Sequence, residues 1–226
     1  MSLDRILCLA NSYKHEHRCV AGISLNTRKW VRLVGHAVPG CLTLKEASYE
    51  DGTEAAVLDV LEAELGERCG SNPHPEDVFL GSSRLRRIPP AGAMTLRTLK
   101  EYLSNSTQIL GGYSDRVYAK KFLNARAAKS LELIKPDDLW WWIRSEDGKR
   151  KNRALFRLGH VDRMRYDLAV TDPRWLEKLN LLPAGIYPHS YFFKGKPPVT
   201  LLTLSLSEPF DHFHYKLVAG VVSLPS

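Results

Sequence analysis

Short runs of alternating apolar and polar residues recur along this chain, with turn-forming residues between them. In residues 29–34, for example, Trp30 and Arg32 share one face of an extended segment, and Val31 and Leu33 share the other. A period of two is typical of a β-strand that is buried on one side. Because the runs are short and numerous, they restrict the chain to a strand-rich fold with many tight connections.

The predicted strands form two groups, one towards each end of the chain. They cover residues 3–10, 19–25, 29–34 and 55–65 in the first group, and 130–134, 139–144, 152–158, 164–170, 199–206 and 215–224 in the second. Periodicity alone allows a helix or a strand at 55–65, and its repeated Leu and Val after Asp51 and Gly52 favour a strand. Asp147 and Gly148 predict a turn between two strands of the second group.

The middle of the chain has a different pattern. Pro89, Pro90 and Gly92 interrupt the alternation, and apolar residues at helical spacing then predict helices over 95–103 and 116–128. A further short helix is predicted after the strand at 164–170. Asp172 is its expected N-cap, Pro173 its first residue and Leu181 its approximate end.

The fold class predicted from these patterns is mainly β with an α connector (α+β). The expected organisation is a first β module at 1–90, a helical connector at 91–129 and a second β module at 130–226. Two modules of this size each bury a limited apolar surface, so we expect them to pack together. A weak internal echo, RCVAGI at 18–23 and KLVAGV at 216–221, suggests that the two modules are related.

Charge is distributed in blocks, although the net charge is only +7, from 32 Lys and Arg against 25 Asp and Glu. Residues 46–67 contain many acidic residues and no Lys or Arg, whereas 84–121 and 144–165 are strongly basic. Clustered cations attract polyanions, nucleic acid first among them. The alternative is a solvated surface on which the acidic block balances the basic blocks.

The polar stretch at 11–18, NSYKHEHR, is the first candidate binding site. Lys14 and Arg18 can neutralise a phosphate, while Asn11 and Ser12 can hydrogen-bond to its oxygens or to a base edge. A connecting loop does not need so many hydrogen-bonding side chains. The alternative is a hairpin loop whose side chains satisfy its own backbone.

Three consecutive tryptophans lie among the basic residues of the second module. Trp140 and Trp142 share one face of a predicted strand, and Trp141 points to the other face. An exposed tryptophan face would be a platform on which nucleic-acid bases stack. Packing of at least two of the three rings into the core is the favoured interpretation.

No sequence pattern marks a catalytic, metal or cofactor site. The glycine motifs of phosphate and dinucleotide binding do not occur, and no motif surrounds a nucleophile. The His-x-His pairs at 15–17 and 212–214 would hold a metal only if the two chain ends met. The four cysteines never form C-x-x-C and are expected to be reduced thiols. We therefore predict no catalytic residues, no metal and no cofactor.

Neither a signal peptide nor an apolar run of membrane-spanning length occurs in the sequence. We therefore expect a cytoplasmic protein that has no membrane partner.

Short motifs are spread from one end of the chain to the other. They are CLANSYK at 8–14, RCVAGI at 18–23, WVR at 30–32, LDV at 58–60, IKPDDL at 134–139, YDLAVTDP at 166–173, LSLSEPF at 204–210 and YKLVAG at 215–220. In this order they resemble the prokaryotic dual OB-fold domain family. The resemblance implies two OB-like β-barrel modules and a nucleic-acid-binding role in RNA repair and biological conflict. Leu33 departs from the family's preference for proline soon after the WVR motif, so the adjoining loop is expected to differ.

We expect from this a non-catalytic nucleic-acid-binding module of a prokaryotic repair or conflict system, which binds RNA rather than duplex DNA and has protein partners in that system. Cations would hold phosphates, aromatic rings would stack, and Asn or Ser would contact an edge or a ribose hydroxyl. The candidate ligands are Asn11, Ser12, Lys14, Arg18, Trp30 and Arg32 in the first module, and Arg153, Arg157 and Tyr166 in the second.

Two alternatives from other functional classes remain open. One is a pocket protein or enzyme that acts on a nucleotide-derived small molecule, with the polar stretch at 11–18 as its lid. The other is a protein-interaction adaptor whose exposed tryptophans dock a partner.

Overall fold

The computed structural model describes residues 2–90, 92, 94–106, 108–122, 129–159 and 166–224. The chain divides into two units, Met1–Met94 with Ala125–Leu131 and Thr95–Asn124 with Glu132–Ser226, which we call the first and second modules. Strands dominate both modules, and the prediction of a mainly β fold is confirmed. The division into 1–90, 91–129 and 130–226 stays a proposal.

The first module contains a closed five-stranded barrel. Its strands are β1 (Ser2–Lys14), β2 (His17–Ser24), β3 (Trp30–Val34), β4 (Val60–Arg68) and β5 (Asp77–Leu80), with β6 (Arg86–Ile88) outside the barrel. They pair in the order β1-β2-β3-β5-β4-β6, and the additional pairing of β1 with β4 closes the barrel. Only β3 and β5 run parallel among these pairs of described strands. This is the five-stranded Greek-key barrel that the resemblance implies.

The second module repeats this strand order. Its strands are β7 (Arg116–Tyr118), β8 (Leu131–Ile134), β9 (Asp138–Glu146), β10 (Lys149–Arg157), β11 (Tyr166–Val170), β12 (Gly185–Pro188), β13 (Val199–Phe210) and β14 (Phe213–Leu224). The central order is β9-β10-β11-β14-β13, and β11 runs parallel to β14 as β3 does to β5. β12 extends the sheet beyond β9, β8 extends it beyond β13, and β7 pairs with β14.

A bulge in β1 decides which polar side chains face the interior of the first barrel. The register shifts between Cys8 and Ala10, after which Asn11 pairs with Val20. Val20 and Cys8 both belong to the buried core of the barrel. Because paired residues share a face, Asn11 lies on the interior side, whereas unbroken alternation from Cys8 would place it outside.

The described helices are short. α1 (Leu96–Leu99) begins at the N-cap Thr95 and continues as a 3₁₀ turn at Lys100–Tyr102. Further 3₁₀ turns lie at Ala119–Phe122 and His189–Phe192.

The helix predicted over 116–128 is wrong in its described part. Residues 116–118 form β7, which pairs with the edge of β14, and 119–122 form a 3₁₀ turn. Backbone pairing with a neighbouring strand outweighs the local helical spacing here. Residues 123–128 lie outside the described part of the chain.

α2 (Pro173–Asn180) confirms the predicted cap at Asp172. One carboxylate oxygen of Asp172 accepts a hydrogen bond from Trp175 N at 3.0 Å, and the other accepts one from Val221 N at 2.8 Å. Burial raises the pKa of Asp172 above its usual value, although these donors act to lower it. The carboxylate thus joins the start of α2 to β14.

The repeated RCVAGI and KLVAGV motifs do not occupy equivalent strands. The first lies in β2, and the second lies in β14, whose counterpart in the first module is β5. The relation between the modules is therefore one of strand order and not of this motif.

A buried ion pair joins the two parallel strands of the first module. Arg32 on β3 donates two hydrogen bonds to the Asp77 carboxylate on β5, at 2.6 and 2.8 Å. Burial alone would lower the pKa of Arg32, but the Asp77 carboxylate raises it above the usual arginine value. Both side chains are almost fully removed from water. Removal of either partner would therefore leave an unpaired buried charge and reduce the free energy of unfolding.

We expect Asp77→Ala to reduce the free energy of unfolding by about 3–5 kcal/mol, because Arg32 would remain charged and buried without a carboxylate. Urea denaturation followed by circular dichroism measures this loss. The control is Arg86→Ala, whose side chain is 72% exposed beside Glu62 and should cost less than about 1 kcal/mol. Equal losses in the two variants would contradict a structural role for the buried pair.

Candidate nucleic-acid interface

The strands at the β12 edge of the second module present a mixed aromatic and basic face. Trp142 on β9 is paired with Arg153 on β10 and with Ile186 on β12, and Arg153 is paired with Ala169 on β11. Directly paired residues project from the same side of a sheet. We call this side the platform; it carries Ile186 and Pro188 of β12, Asp138, Trp140, Trp142 and Arg144 of β9, Lys151, Arg153, Leu155 and Arg157 of β10, and Asp167 and Ala169 of β11.

The three consecutive tryptophans separate as their alternation predicts. Trp141 is fully buried, packs on Trp175 with ring centroids 4.8 Å apart, and donates its indole N–H to His189 Nδ1 at 3.0 Å. Trp140 and Trp142 lie half-buried on the platform. The interpretation that at least two rings belong to the core is wrong, because the strand has one covered face only and two of the rings are on the other.

Neighbouring charged groups position the two platform rings. The Arg144 guanidinium carbon lies 4.3 Å from the centroid of the Trp142 ring, and Arg144 also pairs with Glu146 at 3.3 Å. The Trp140 indole N–H donates to Asp138 at 2.7 Å. Cation–π contact and the hydrogen bond limit the rotamers that each ring can adopt. These contacts thus hold both rings in defined orientations on the platform.

The cations of the platform differ in how far they are already neutralised. Arg153 is bound to the Asp167 carboxylate and backbone carbonyl, and Arg157 donates to Asp138 at 3.0 Å. Lys151 is exposed and has no hydrogen-bond or ion-pair partner within the described residues. Lys151 therefore carries the least compensated positive charge of these three.

A groove of about 550 Å³ opens beside the platform, between β10, β11 and α2. Arg150, Lys151 and Arg153 contribute its positive charge. Arg150 also donates to the carbonyls of Leu179 and Leu182, which satisfies backbone acceptors at the end of α2. Basic groups thus continue from the aromatic surface into a concave one.

The corresponding face of the first module has different chemistry. Ala10, Ala21, Arg32 and Asp77 form one paired row across β1, β2, β3 and β5, and all four are at least nine-tenths buried. Trp30 lies half-buried on the same face of β3. In the described rows, the cation beside Trp30 is the buried and paired Arg32, whereas the platform places Trp140 and Trp142 beside the exposed Lys151.

Asn11 and Arg18 of the polar stretch at 11–18 face the barrel interior and contact residues 54 and 55 of the acidic block. Arg18 donates to both Glu54 oxygens, at 2.6 and 2.9 Å, and its guanidinium lies 4.2 Å from the Tyr13 ring centroid. Asn11 donates to Ala55 O at 2.7 Å. The structure thus brings Asn11 and Arg18 together, with both side chains more than nine-tenths buried.

The remaining residues of that prediction are placed separately. Ser12 is 5% exposed and pairs with Cys19 on the opposite face from Asn11. Lys14, at the end of β1, directs its ammonium group to the carbonyls of Pro39 and Gly40, each at 3.4 Å. Lys14 thus donates to backbone carbonyls and lies apart from the Asn11 and Arg18 cluster.

The acidic block balances part of the first basic block. Arg86 pairs with Glu62 at 3.3 Å, and Arg87 pairs with Asp59 at 3.4 Å. Arg87 also lies over the Tyr49 ring. Arg86 and Arg87 of the first basic block are thus already paired with carboxylates. This neutralisation makes the block a weaker candidate for binding a polyanion.

Tyr166 lies on the interior face of β11, opposite the platform. It is 2% exposed and stacks on Phe156 with ring centroids 5.4 Å apart. The Lys216 ammonium lies 5.9 Å from the Tyr166 ring and donates to Gly112 O at 2.6 Å. Lys216 is 1% exposed, and burial lowers its pKa to about 8 despite nearby Glu132 and Asp115. The burial of Lys216 was not predicted from the sequence. The only signal there was the similarity of KLVAGV to RCVAGI, which aligns Lys216 with Arg18.

We expect Lys216 to make the stability of the chain rise between pH 8 and the ordinary lysine pKa of about 10.4. In this interval the unfolded chain retains a proton that the folded chain has released, so higher pH favours folding. Relative to Lys216→Met, the wild type should gain roughly 2–3 kcal/mol over the interval. Urea denaturation of both proteins across this pH range measures the difference, and parallel pH profiles would contradict the buried charge.

Three other features to consider in the described residues are a metal site, a reactive thiol and a membrane-spanning helix. No group of three or more His, Cys, Asp or Glu within the described ranges has the geometry of a metal site. Burial raises the pKa of the Cys19 thiol to about 11, so Cys19 is not a thiolate at neutral pH. Nor does any described helix have the length and apolar character that crossing a membrane requires.

Two Greek-key sheets with the same strand order, one of them a closed barrel, define a protein of the OB type. The sequence matches the family described as the dual OB-containing domain over residues 4–221, and the chain belongs to that family. No curated protein matches the chain. The expected resemblance is thus confirmed over nearly the whole sequence.

Proposed function

We propose that the chain binds single-stranded nucleic acid, RNA in preference to DNA, on the platform of the second module. The observation that carries this proposal is the contact of Trp142 with Arg144 on a partly exposed sheet face beside the free charge of Lys151. OB-folds bind oligonucleotides on a sheet face of the barrel between loops. The platform is the corresponding face of the second module.

Stacking favours an unpaired strand over a duplex. The flat faces of Trp140 and Trp142, and the guanidinium of Arg144, suit bases that are not stacked in a helix. In a duplex the base faces are covered by their neighbours. A single strand that lies across β9 and β10 would place bases on the rings and phosphates near Lys151.

The proposed preference for RNA rests on carboxylates and on the family. Asp138 and Asp167 lie on the platform, and a carboxylate can accept a hydrogen bond from a ribose 2′-hydroxyl, which DNA lacks. The resemblance implies a role in RNA repair and biological conflict in prokaryotes, with protein partners, and we propose that setting for this chain.

Arg153 and Arg157 stay proposed ligands with a smaller expected share, because Asp167 and Asp138 already neutralise them. Among the first-module residues, Asn11, Ser12, Arg18 and Arg32 are buried, and Trp30 is half-buried beside Arg32. We propose them, with Lys14 and Tyr166, as positions whose substitution tests a second contact.

We expect Trp142→Leu to weaken binding of a labelled single-stranded RNA by about 1–3 kcal/mol, because an apolar but non-aromatic side chain cannot stack on a base. Fluorescence anisotropy at two salt concentrations measures this loss.

Lys151→Gln should weaken binding and reduce the slope of log K against log salt by about 0.7, since one phosphate contact is lost.

The matched control is Lys196→Gln, which removes an exposed cation outside the platform and should leave the salt slope unchanged. Lys14→Gln tests the polar stretch at 11–18 in the same assay. If RNA binds and the platform variants behave like the control, the platform is the wrong site. If neither RNA nor DNA binds, the proposed function fails, and the pocket for a nucleotide-derived small molecule becomes the leading alternative.

A further inference from the structure

The first module contains a groove of about 1100 Å³ at the end of its two parallel strands. β3 and β5 both run towards it, so His36, two residues after β3, and Gly81, directly after β5, lie at the same edge of the sheet. The loop that carries Thr43, Lys45 and Glu46 forms another wall. The groove shares no residue with the platform, so it is a separate candidate site.

Its floor is a pair of stacked rings. The imidazole of His36 lies 4.2 Å from the Phe79 ring, centroid to centroid, with an angle of 12° between the planes. On β4, a side chain at Gly66 would place its Cβ only 3.3 Å from the Cβ of Phe79. Glycine there lets β4 lie close against the backbone and Cβ of Phe79. His36 is exposed, so the face of its ring that points away from Phe79 is available to another flat group.

Charged groups of both signs line the walls. The side chains of Lys45 and Arg84 are exposed and make no ion pair or hydrogen bond with the described residues. Glu46 is occupied, since its carboxylate accepts from Thr43 N at 2.8 Å and from Thr43 Oγ1 at 2.7 Å. Glu67 is exposed and offers a carboxylate without a partner in the described part of the chain.

We propose that this groove binds a single ribonucleotide. The base stacks on His36, the phosphate is held by Lys45 and Arg84, and a ribose hydroxyl donates to Glu67. A flat ring surface, two cations and one free carboxylate match the three parts of a nucleotide. A simple inorganic anion would use neither the ring nor the carboxylate. The proposal goes beyond the polymer-binding platform and does not depend on it.

Isothermal titration calorimetry of the full chain with AMP tests the proposal. We expect one AMP per chain, and His36→Ala should weaken binding by about tenfold or more, the equivalent of one lost stacking contact. Lys45→Gln and Arg84→Gln should each weaken AMP binding and leave adenosine binding unaltered, because adenosine has no phosphate. Glu67→Gln should reduce the preference for AMP over its 2′,3′-dideoxy analogue.

Two controls separate this site from the platform. Lys29→Gln removes an exposed cation at the opposite end of β3, and Trp142→Leu alters the platform; both should bind AMP like the wild type. The proposal is overturned if AMP does not bind at millimolar concentration, or if His36→Ala binds it unchanged. In the first of these cases, weaker RNA binding by His36→Ala would show that the groove serves the polymer. Loss of AMP binding with intact RNA binding in the groove variants supports it.

Discussion

The parallel pairings of β3 with β5 and of β11 with β14 are the constraint on which the two modules depend. A three-stranded meander alone leaves an open edge, and the parallel return strand brings the chain back onto that edge. Each module secures this junction with a buried carboxylate. In the first module Asp77 holds Arg32, and in the second Asp172 holds both the start of α2 and the backbone of β14. Because these groups are nearly inaccessible to water, their partners cannot be replaced by solvent, and the junctions are fixed.

The same strand order produces two different surfaces. The row Ala10, Ala21 and Arg32 of the first meander consists of small or paired residues that are buried, whereas the row Ile186, Trp142 and Arg153 of the second is partly exposed. The fold therefore supplies a sheet face in each module, and the side chains decide whether that face can bind a ligand.

The two modules also differ in how far their basic side chains are neutralised. Carboxylates from the acidic block neutralise Arg18, Arg86 and Arg87 in the first module, while Lys151 of the second module remains uncompensated within the described residues.

Local patterns predicted the features that depend on neighbouring residues. Alternation located most of the longer strands and the opposed directions of Trp141 and Trp142, but it missed the short strands β5, β6, β7 and β12. The order of Asp172 and Pro173 located the start of α2. Features that depend on distant residues could not be predicted in this way. Arg18 and Arg32 were assigned to phosphates, but their carboxylate partners lie 36 and 45 residues away. Likewise, the bulge after Cys8 turns Asn11 inwards, and the pairing of β7 with β14 replaces a locally favoured helix.

The proposed contact between nucleic acid and the outer face of β9 and β10 can be tested directly. Photocrosslinking of a single-stranded RNA that contains 4-thiouridine, followed by mass spectrometry of the crosslinked peptides, tests this contact without any substitution. If bases stack on the platform, we expect crosslinks to peptides from 138–157, with Trp140 or Trp142 as the attached residue. Crosslinks confined to the first module, for example to 11–18, would contradict it.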